Sequence, residues 1–261
     1  MKLGVNTVLF GPADLETALQ HLSWANYQYV ELAAIQGMVE HITIGCDVEA
    51  VKDLLKKYNL TPTAMEAATT DKERLRGLFK LAKEIGFDLI NIGSGGTTGD
   101  EESTKQCISL IRELAAMAAD SGVRLSVKPH VGSAIYNADT GMRLIEEVPS
   151  PALGLNFDPS HLYRANETTQ EVAKRWGSRI FTSHFRDCPW RQGGPGSPEQ
   201  QIPGRGEVNI PATLAALKSV DYTGPVNLEV IGAGNYTLSH QMGVAAETRG
   251  YMRRCLQELG L

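Results

Sequence analysis

The chain has 261 residues, of which 42% are hydrophobic and 21% charged, a composition typical of globular proteins. With 25 Lys and Arg against 30 Asp and Glu, the net charge is −5, and no basic run is present, which argues against nucleic-acid binding driven by phosphate neutralisation. No apolar stretch approaches the roughly 20 residues that cross a bilayer, and the N-terminus becomes polar at Asn6, so we expect neither a membrane span nor a secretion signal.

Strand-like and helix-like segments alternate along the whole chain. Short apolar runs, most of them rich in β-branched residues, predict eight strands that begin near Leu3, Gln28, Thr61, Asp88, Val123, Leu153, Ile180 and Val226. Each strand is followed by a helical pattern, over residues 14–26, 47–58, 71–84, 103–121, 140–147, 167–176, 211–220 and 241–259. No Ser-, Gly- or Pro-rich linker interrupts the series, so we expect one domain over residues 1–261.

Eight consecutive strand–helix units favour a parallel sheet that closes into a (β/α)8 TIM barrel. The alternative is an open, doubly wound sheet, which typically carries a Gly-rich phosphate-binding turn after its first strand. Residues 8–12 read Val-Leu-Phe-Gly-Pro, and this is not such a turn. The sequence therefore predicts an α/β fold of the barrel type.

The polar side chains of the predicted strands fall on one face of each strand. In the fifth strand, for example, Val123, Leu125 and Val127 alternate with a polar set that ends in Lys128 and His130. The polar residues nearest the C-terminal strand ends are Asn6, Glu31, Glu66, Lys128, His130, Asp158, His184 and Glu229. Barrel enzymes build their active sites at this end of the strands.

Four carboxylates share this end of the barrel with one lysine. They belong to Glu31, Glu66, Asp158 and Glu229, and the lysine is Lys128. Confined charges must be paired, protonated or bound to metal. We therefore predict one divalent metal ion, which could be Mn, Mg, Co or Zn. In the alternative, Lys128 itself supplies the positive charge and no metal binds.

Four motifs in the second half of the chain resemble the xylose isomerase-like barrel superfamily. Residues 156–161 (Asn-Phe-Asp-Pro-Ser-His) match its D-x-x-H, and residues 183–187 (Ser-His-Phe-Arg-Asp) match its H-x-[KR]-D. Residues 203–207 are similar to its G-x-G turn, and residues 222–229 to its final strand with a metal-binding Glu. The superfamily contains sugar epimerases, isomerases, dehydratases and AP endonucleases; six histidines and an acidic charge disfavour the endonucleases here.

The resemblance implies one divalent metal bound by four side chains at the ends of strands five to eight. Asp158, His184 and Glu229 match the last three ligands. The first, commonly Glu, is replaced by Lys128, whose ammonium cannot ligate a metal. We expect His130, on the same face, to replace it as a ligand or as a substrate contact.

The resemblance also implies proton transfer at a carbon next to a carbonyl, carried by two acid/base groups. Glu229 matches one group, and Lys128 stands in the position of the other, where a nearby dication would lower its pKa. We expect an isomerase or epimerase of a keto-sugar or related polyol. The alternative is a lyase or dehydratase acting on a keto-sugar, inosose or 3-keto-glycoside. A Schiff-base aldolase using Lys128 and a non-enzymatic sugar-binding role also stay open.

Further residues are candidates for substrate binding. His161 resembles the substrate-binding His of the superfamily, and Arg186 is either a substrate contact or half of a rim ion pair with Asp187. The remaining candidates by position are Glu31, Glu66, Asn6 and Trp190. Residues 188–206 are too long for a plain connection and predict a lid, in which Trp190 could cover a sugar.

The sequence gives less evidence about cellular location and assembly than about the fold. The four cysteines lack any short metal-binding spacing, which indicates free thiols in a reducing cytoplasm. Superfamily members are often dimers or tetramers, so the resemblance allows a homo-oligomer. We expect a small carbohydrate as the partner and no nucleic acid or membrane.

Overall fold

Nine strands and nine α-helices make up the computed structural model, which describes residues 1–261. The strands are β1 (Lys2–Asn6), β2 (Tyr29–Ile35), β3 (Val39–Glu40), β4 (Thr61–Glu66), β5 (Leu89–Gly93), β6 (Arg124–Lys128), β7 (Leu153–Phe157), β8 (Ile180–Phe185) and β9 (Pro225–Leu228). The helices are α1 (Leu15–Trp24), α2 (Val48–Lys57), α3 (Lys72–Ile85), α4 (Glu101–Asp120), α5 (Ala138–Glu147), α6 (Pro159–Arg164), α7 (Thr169–Trp176), α8 (Ile210–Ser219) and α9 (Leu238–Glu258).

Eight of the strands form a closed parallel barrel. Each of β4 to β8 pairs in parallel with the strand that follows it, β2 pairs with β4, and β1 closes the ring by pairing with both β2 and β9. The short strand β3 lies outside the ring and pairs antiparallel with β2. The predicted single-domain (β/α)8 TIM barrel is confirmed.

Local sequence signals explain where the helices begin and what they bury. Asp14, Asp47, Asp71 and Asp100 each precede a helix and accept a hydrogen bond from a backbone N–H three residues on. The predicted apolar face of α3 is buried in a core of 65 residues between strands and helices. None of the helices combines the length and apolarity that a bilayer crossing needs. All four cysteines are free.

Two elements were missed in the sequence. Strand β3 has only two residues and α6 only six, too few for a periodic pattern to emerge. Helix α6 forms because Pro159 occupies its first turn and the Asp158 carboxylate caps it, accepting hydrogen bonds from the N–H groups of Ser160 and His161. This cap fixes the Asp158 side chain at the mouth of the barrel.

Candidate active site

The polar strand faces converge at the C-terminal end of the barrel. Lys128, Asp158, His184 and Glu229 lie at or just beyond the ends of β6 to β9, and all four are buried. One step deeper, the barrel interior contains the buried side chains of Asn91, Ser126, Asn156, Thr182 and Asn227. These residues belong to the polar faces of the strands, which the alternation of polar and apolar residues predicts to point into the barrel.

The Lys128 ammonium occupies the centre of the group. Its Nζ donates to Glu229 Oε2 at 2.6 Å and lies 2.9 Å from His184 Nδ1. Asp158 Oδ2 is 3.4 Å away. Lys128 therefore places a positive charge at the centre of these side chains.

The protonation of Lys128 differs from expectation. Burial alone would lower its pKa, but the carboxylates of Glu229, Asp158 and Glu66 raise the pKa above its ordinary value. The expected lowering applies to an amine beside a dication; with carboxylates as the nearest charges, the pKa of Lys128 moves in the opposite direction. A protonated amine cannot attack a carbonyl, so the arrangement also disfavours a Schiff-base aldolase.

The His184 ring bridges two carboxylates. Its Nε2 lies 2.6 Å from Glu31 Oε2, and its Nδ1 lies 3.2 Å from Glu229 Oε1. Burial alone would lower the pKa of His184, but Glu31 and Glu229 outweigh it and raise the pKa to about 10. Glu31 is held in turn by the side-chain amides of Asn6 and Asn91, so protein donors engage both of its oxygens.

Arg186 is buried and points into the site. Its Nε donates to Ser160 Oγ at 2.9 Å, and its Nη2 lies 2.7 Å from His161 Nε2. Its terminal nitrogens are 3.7 Å from Asp158 Oδ2 and 3.7 Å from Glu229 Oε2. The side chain thus adds a fixed positive charge beside Lys128.

Arg186 and His184 change the charge balance that suggested a metal. The four carboxylates face three cationic side chains, Lys128, His184 and Arg186. Burial raises the pKa of Glu66 to about 7, so this carboxyl is partly protonated near neutral pH. Protein cations therefore offset much of the negative charge of the mouth, so within the site the case for a metal rests on donor geometry rather than on charge balance.

Two groups of side chains converge closely enough to share a cation. They are Asp158, His184 and Glu229, and Glu31, Glu66 and His184; in each group one donor atom per residue lies within 4.8 Å of the others. In the first group, Asp158 Oδ2 is buried without a hydrogen-bond partner. Two carboxylates and one imidazole suit a divalent metal. The first group can hold one if Lys128 Nζ leaves its centre.

His130 and His161 lie beside these two groups and are not part of them. His130 belongs to neither converging group; its Nδ1 lies 2.7 Å from the Val131 carbonyl oxygen. Its ring packs on that of His161 with 3.9 Å between centroids. His161 is buried, and its Nε2 faces Arg186. The geometry thus favours the substrate-contact role of His130 over the metal-ligand role.

A cavity of about 370 Å³ opens above the charged group, within the size range of small-molecule sites. Five of the candidate residues line it: Glu66, Lys128, His130, Arg186 and Glu229. Ile35, Met38 and Ile231 add an apolar wall. A larger cavity of about 600 Å³ at the opposite end of the barrel has two arginines in its lining but no Asp, Glu or His side chain.

The segment after β8 is organised by Asp187. Its carboxylate accepts hydrogen bonds from the N–H groups of Cys188, Gly204 and Val208, so the alternative of a rim ion pair with Arg186 does not hold. Trp190 is 42% exposed and donates to the Gly194 carbonyl rather than lining the cavity. The segment is therefore tied to the barrel at its base, with Trp190 on its outer part.

Sequence reasoning missed some residues of the site. Asn91 alternates with apolar neighbours in β5, so the parity argument could have found it. Ser160 and the apolar wall of the cavity carry no signal in the sequence, because their place depends on packing between distant loops.

Comparisons with known proteins agree with this architecture. The family model described as xylose isomerase-like TIM barrel matches residues 19–255. An inosose isomerase from Halalkalibacterium halodurans is 20% identical over 250 residues, which cover 89% of this chain and 88% of that protein. An L-ribulose 3-epimerase from Methylomonas sp. (strain DH-1) is 25% identical over 240 residues, 83% of this chain and 78% of that protein.

A solved structure extends the likeness to the whole barrel. The IOLI protein, crystallised with a bound zinc atom, superposes with a TM-score of 0.80 at 20% identity, covering 97% of this chain and 99% of that chain. At this identity the likeness concerns the fold. The match of the family model over most of its length assigns this chain to the xylose isomerase-like TIM barrel family.

Proposed function

We propose that this protein is a metal-dependent isomerase or epimerase of a keto-sugar or related polyol ketone, which moves a proton at the carbon next to the carbonyl. The observation that carries the proposal is the contact of Lys128 with Glu229 at 2.6 Å on the wall of the cavity. An acid and a base on one wall are what proton transfer at such a carbon requires. The named relatives, an inosose isomerase and an L-ribulose 3-epimerase, support the substrate class.

Glu229 is proposed as the base and Lys128 as the acid. Burial alone would raise the pKa of Glu229, but Lys128 and His184 hold it well below its ordinary value, so the group is ionised and able to accept a proton. Lys128 carries the proton that the pair can donate. Because the two groups differ, the proton can be returned to a carbon or given to a leaving oxygen.

Asp158, His184 and Glu229 are the residues that would hold the metal, whether Mn, Mg, Co or Zn. When bound, the ion would polarise the substrate carbonyl and stabilise negative charge on its oxygen. Glu31 supports this role through its oxygen 2.6 Å from His184 Nε2, on the side of the ring away from Nδ1; carboxylates commonly orient metal-binding histidines in this way. The arrangement favours a positioning role for Glu31 and Asn6 over the sugar contacts first expected.

The remaining candidates for substrate binding differ in whether they line the cavity. We propose that His130, Arg186 and Glu66 contact the carbohydrate, since all three line the cavity. His161 would act through Arg186, with which it is in contact. Trp190 could reach a sugar only if the outer part of its segment moved. Homo-oligomerisation and a cytoplasmic location stay predictions.

Conversion of a substrate panel tests the proposal. The protein is treated with chelator, resupplied with Mn²⁺, and incubated with ketoses, inososes and 3-keto-glycosides while products are followed by NMR. We expect interconversion of epimers or isomers with at least one compound, lost in Glu229→Gln. Glu247→Gln, which alters an exposed carboxylate paired with Arg205, serves as the control. An elimination product would identify the dehydratase alternative, and no conversion of any compound would contradict the proposal.

A further inference from the structure

The side chain of Lys128 occupies the position that a metal cation would take in this site. Lys128 Nζ lies 2.6 Å from Glu229 Oε2, 2.9 Å from His184 Nδ1 and 3.4 Å from Asp158 Oδ2. These residues are also the first converging donor group. A metal bonded to carboxylate and imidazole atoms at about 2.0–2.2 Å would lie where Nζ lies. The ammonium and a dication therefore cannot occupy this centre together.

The residues around the centre leave the Lys128 ammonium free to move but hold Arg186 in place. Lys128 lines the cavity, and its four-carbon stem lets the ammonium move without the backbone. Arg186 has no such freedom, because it is held by Ser160 Oγ and His161 Nε2. Of the two cations at the centre, Lys128 is thus the displaceable one.

We propose that Lys128 and a divalent metal are alternative occupants of the Asp158–His184–Glu229 centre, and that metal entry drives the Lys128 ammonium into the cavity. The proposal rests on the proposed function for its metal but adds a coupling between the metal and one side chain. Metal entry would separate Lys128 from Glu229 and present both to a substrate. Lys128 would thereby make the acid/base pair available only when the metal is present.

Metal affinity measures this competition without any turnover assay. Mn²⁺ binding is followed by calorimetry and by the EPR signal of free Mn²⁺ in the wild type, Lys128→Met, Lys128→Gln and Lys105→Met. Lys105 is an exposed lysine that also has a carboxylate partner, so its variant controls for loss of one positive charge. We expect Mn²⁺ to bind roughly 10-fold to 100-fold more tightly to both Lys128 variants than to the wild type. Lys105→Met should bind like the wild type.

A second measurement keeps the wild-type side chain. A small acylating reagent is applied with and without Mn²⁺, and modification of Lys128 is quantified by mass spectrometry of its peptide. We expect Mn²⁺ to increase modification, because the amine moves from the closed centre into the cavity. Equal Mn²⁺ affinity in wild type and Lys128 variants, no Mn²⁺ binding by any of them, or unchanged modification would overturn the proposal. An inactive protein that shows the competition would overturn only the proposed function.

Discussion

Replacing Arg186 by Met is expected to be among the most destabilising changes at the site. At the 3.7 Å separations from Asp158 and Glu229, the Coulomb energy of each ion pair is about 4.5 kcal/mol at an effective dielectric constant near 20. The desolvation cost of the buried guanidinium offsets part of this sum. Measured losses on removing one partner of a buried pair are about 3–5 kcal/mol, and we expect Arg186→Met to lie in that range.

Urea unfolding in chelator-containing buffer measures the change. Arg175→Met is the matched control: Arg175 pairs with Asp139, but both side chains are largely exposed, so its loss should cost less than about 1 kcal/mol. Arg186→Lys should recover only part of the stability. It keeps the positive charge, but it loses the contacts of the guanidinium group with Ser160 and His161. A loss for Arg186→Met no larger than that for Arg175→Met would refute the assignment of Arg186 as a buried structural cation.

Two further changes test the pH dependence and the backbone of the cavity wall. With chelator present, native Glu66 keeps a proton between pH 4.5 and about 7 that the unfolded chain has lost, so rising pH costs stability there. Glu66→Gln should therefore raise the unfolding free energy by about 3 kcal/mol above this window and leave it unchanged below; equal effects at both ends would contradict the shift. Ala68, at φ 47°, is the one residue with positive φ that is not Gly, Asn or Asp. Thermal unfolding should show no stability loss for Ala68→Gly, whereas buried Ala67→Gly should lose about 1 kcal/mol, and equal losses would rule out strain at Ala68.

Local periodicity explains why the barrel was predictable. Strand alternation and helical spacing are properties of short segments, and Asp residues before α1 to α4 mark helix starts in the sequence itself. The same alternation predicts that Lys128, Asp158, His184 and Glu229 lie at one end of the barrel, where all four are found buried. The features of the fold that depend on local sequence periodicity could therefore be predicted from the sequence.

The electrostatics of the site could not be predicted in the same way. Whether Arg186 lies on the rim or inside depends on Ser160 and His161 of α6, a helix too short to predict. The position of Lys128 Nζ depends on side-chain angles and on three partners from three other strands. Charge counting over the sequence therefore overestimated the negative charge of the mouth.

Hydrogen exchange at carbon is the most direct measurement of the proposed chemistry. The protein, loaded with Mn²⁺, is incubated in D₂O with the ketose and inosose panel, and deuterium is located in the recovered sugars by NMR. We predict deuterium at the carbon next to the carbonyl of at least one compound, with none above background in Glu229→Gln. Deuterium uptake that persists unchanged in Glu229→Gln, or that is absent from every compound, would contradict proton transfer by this pair.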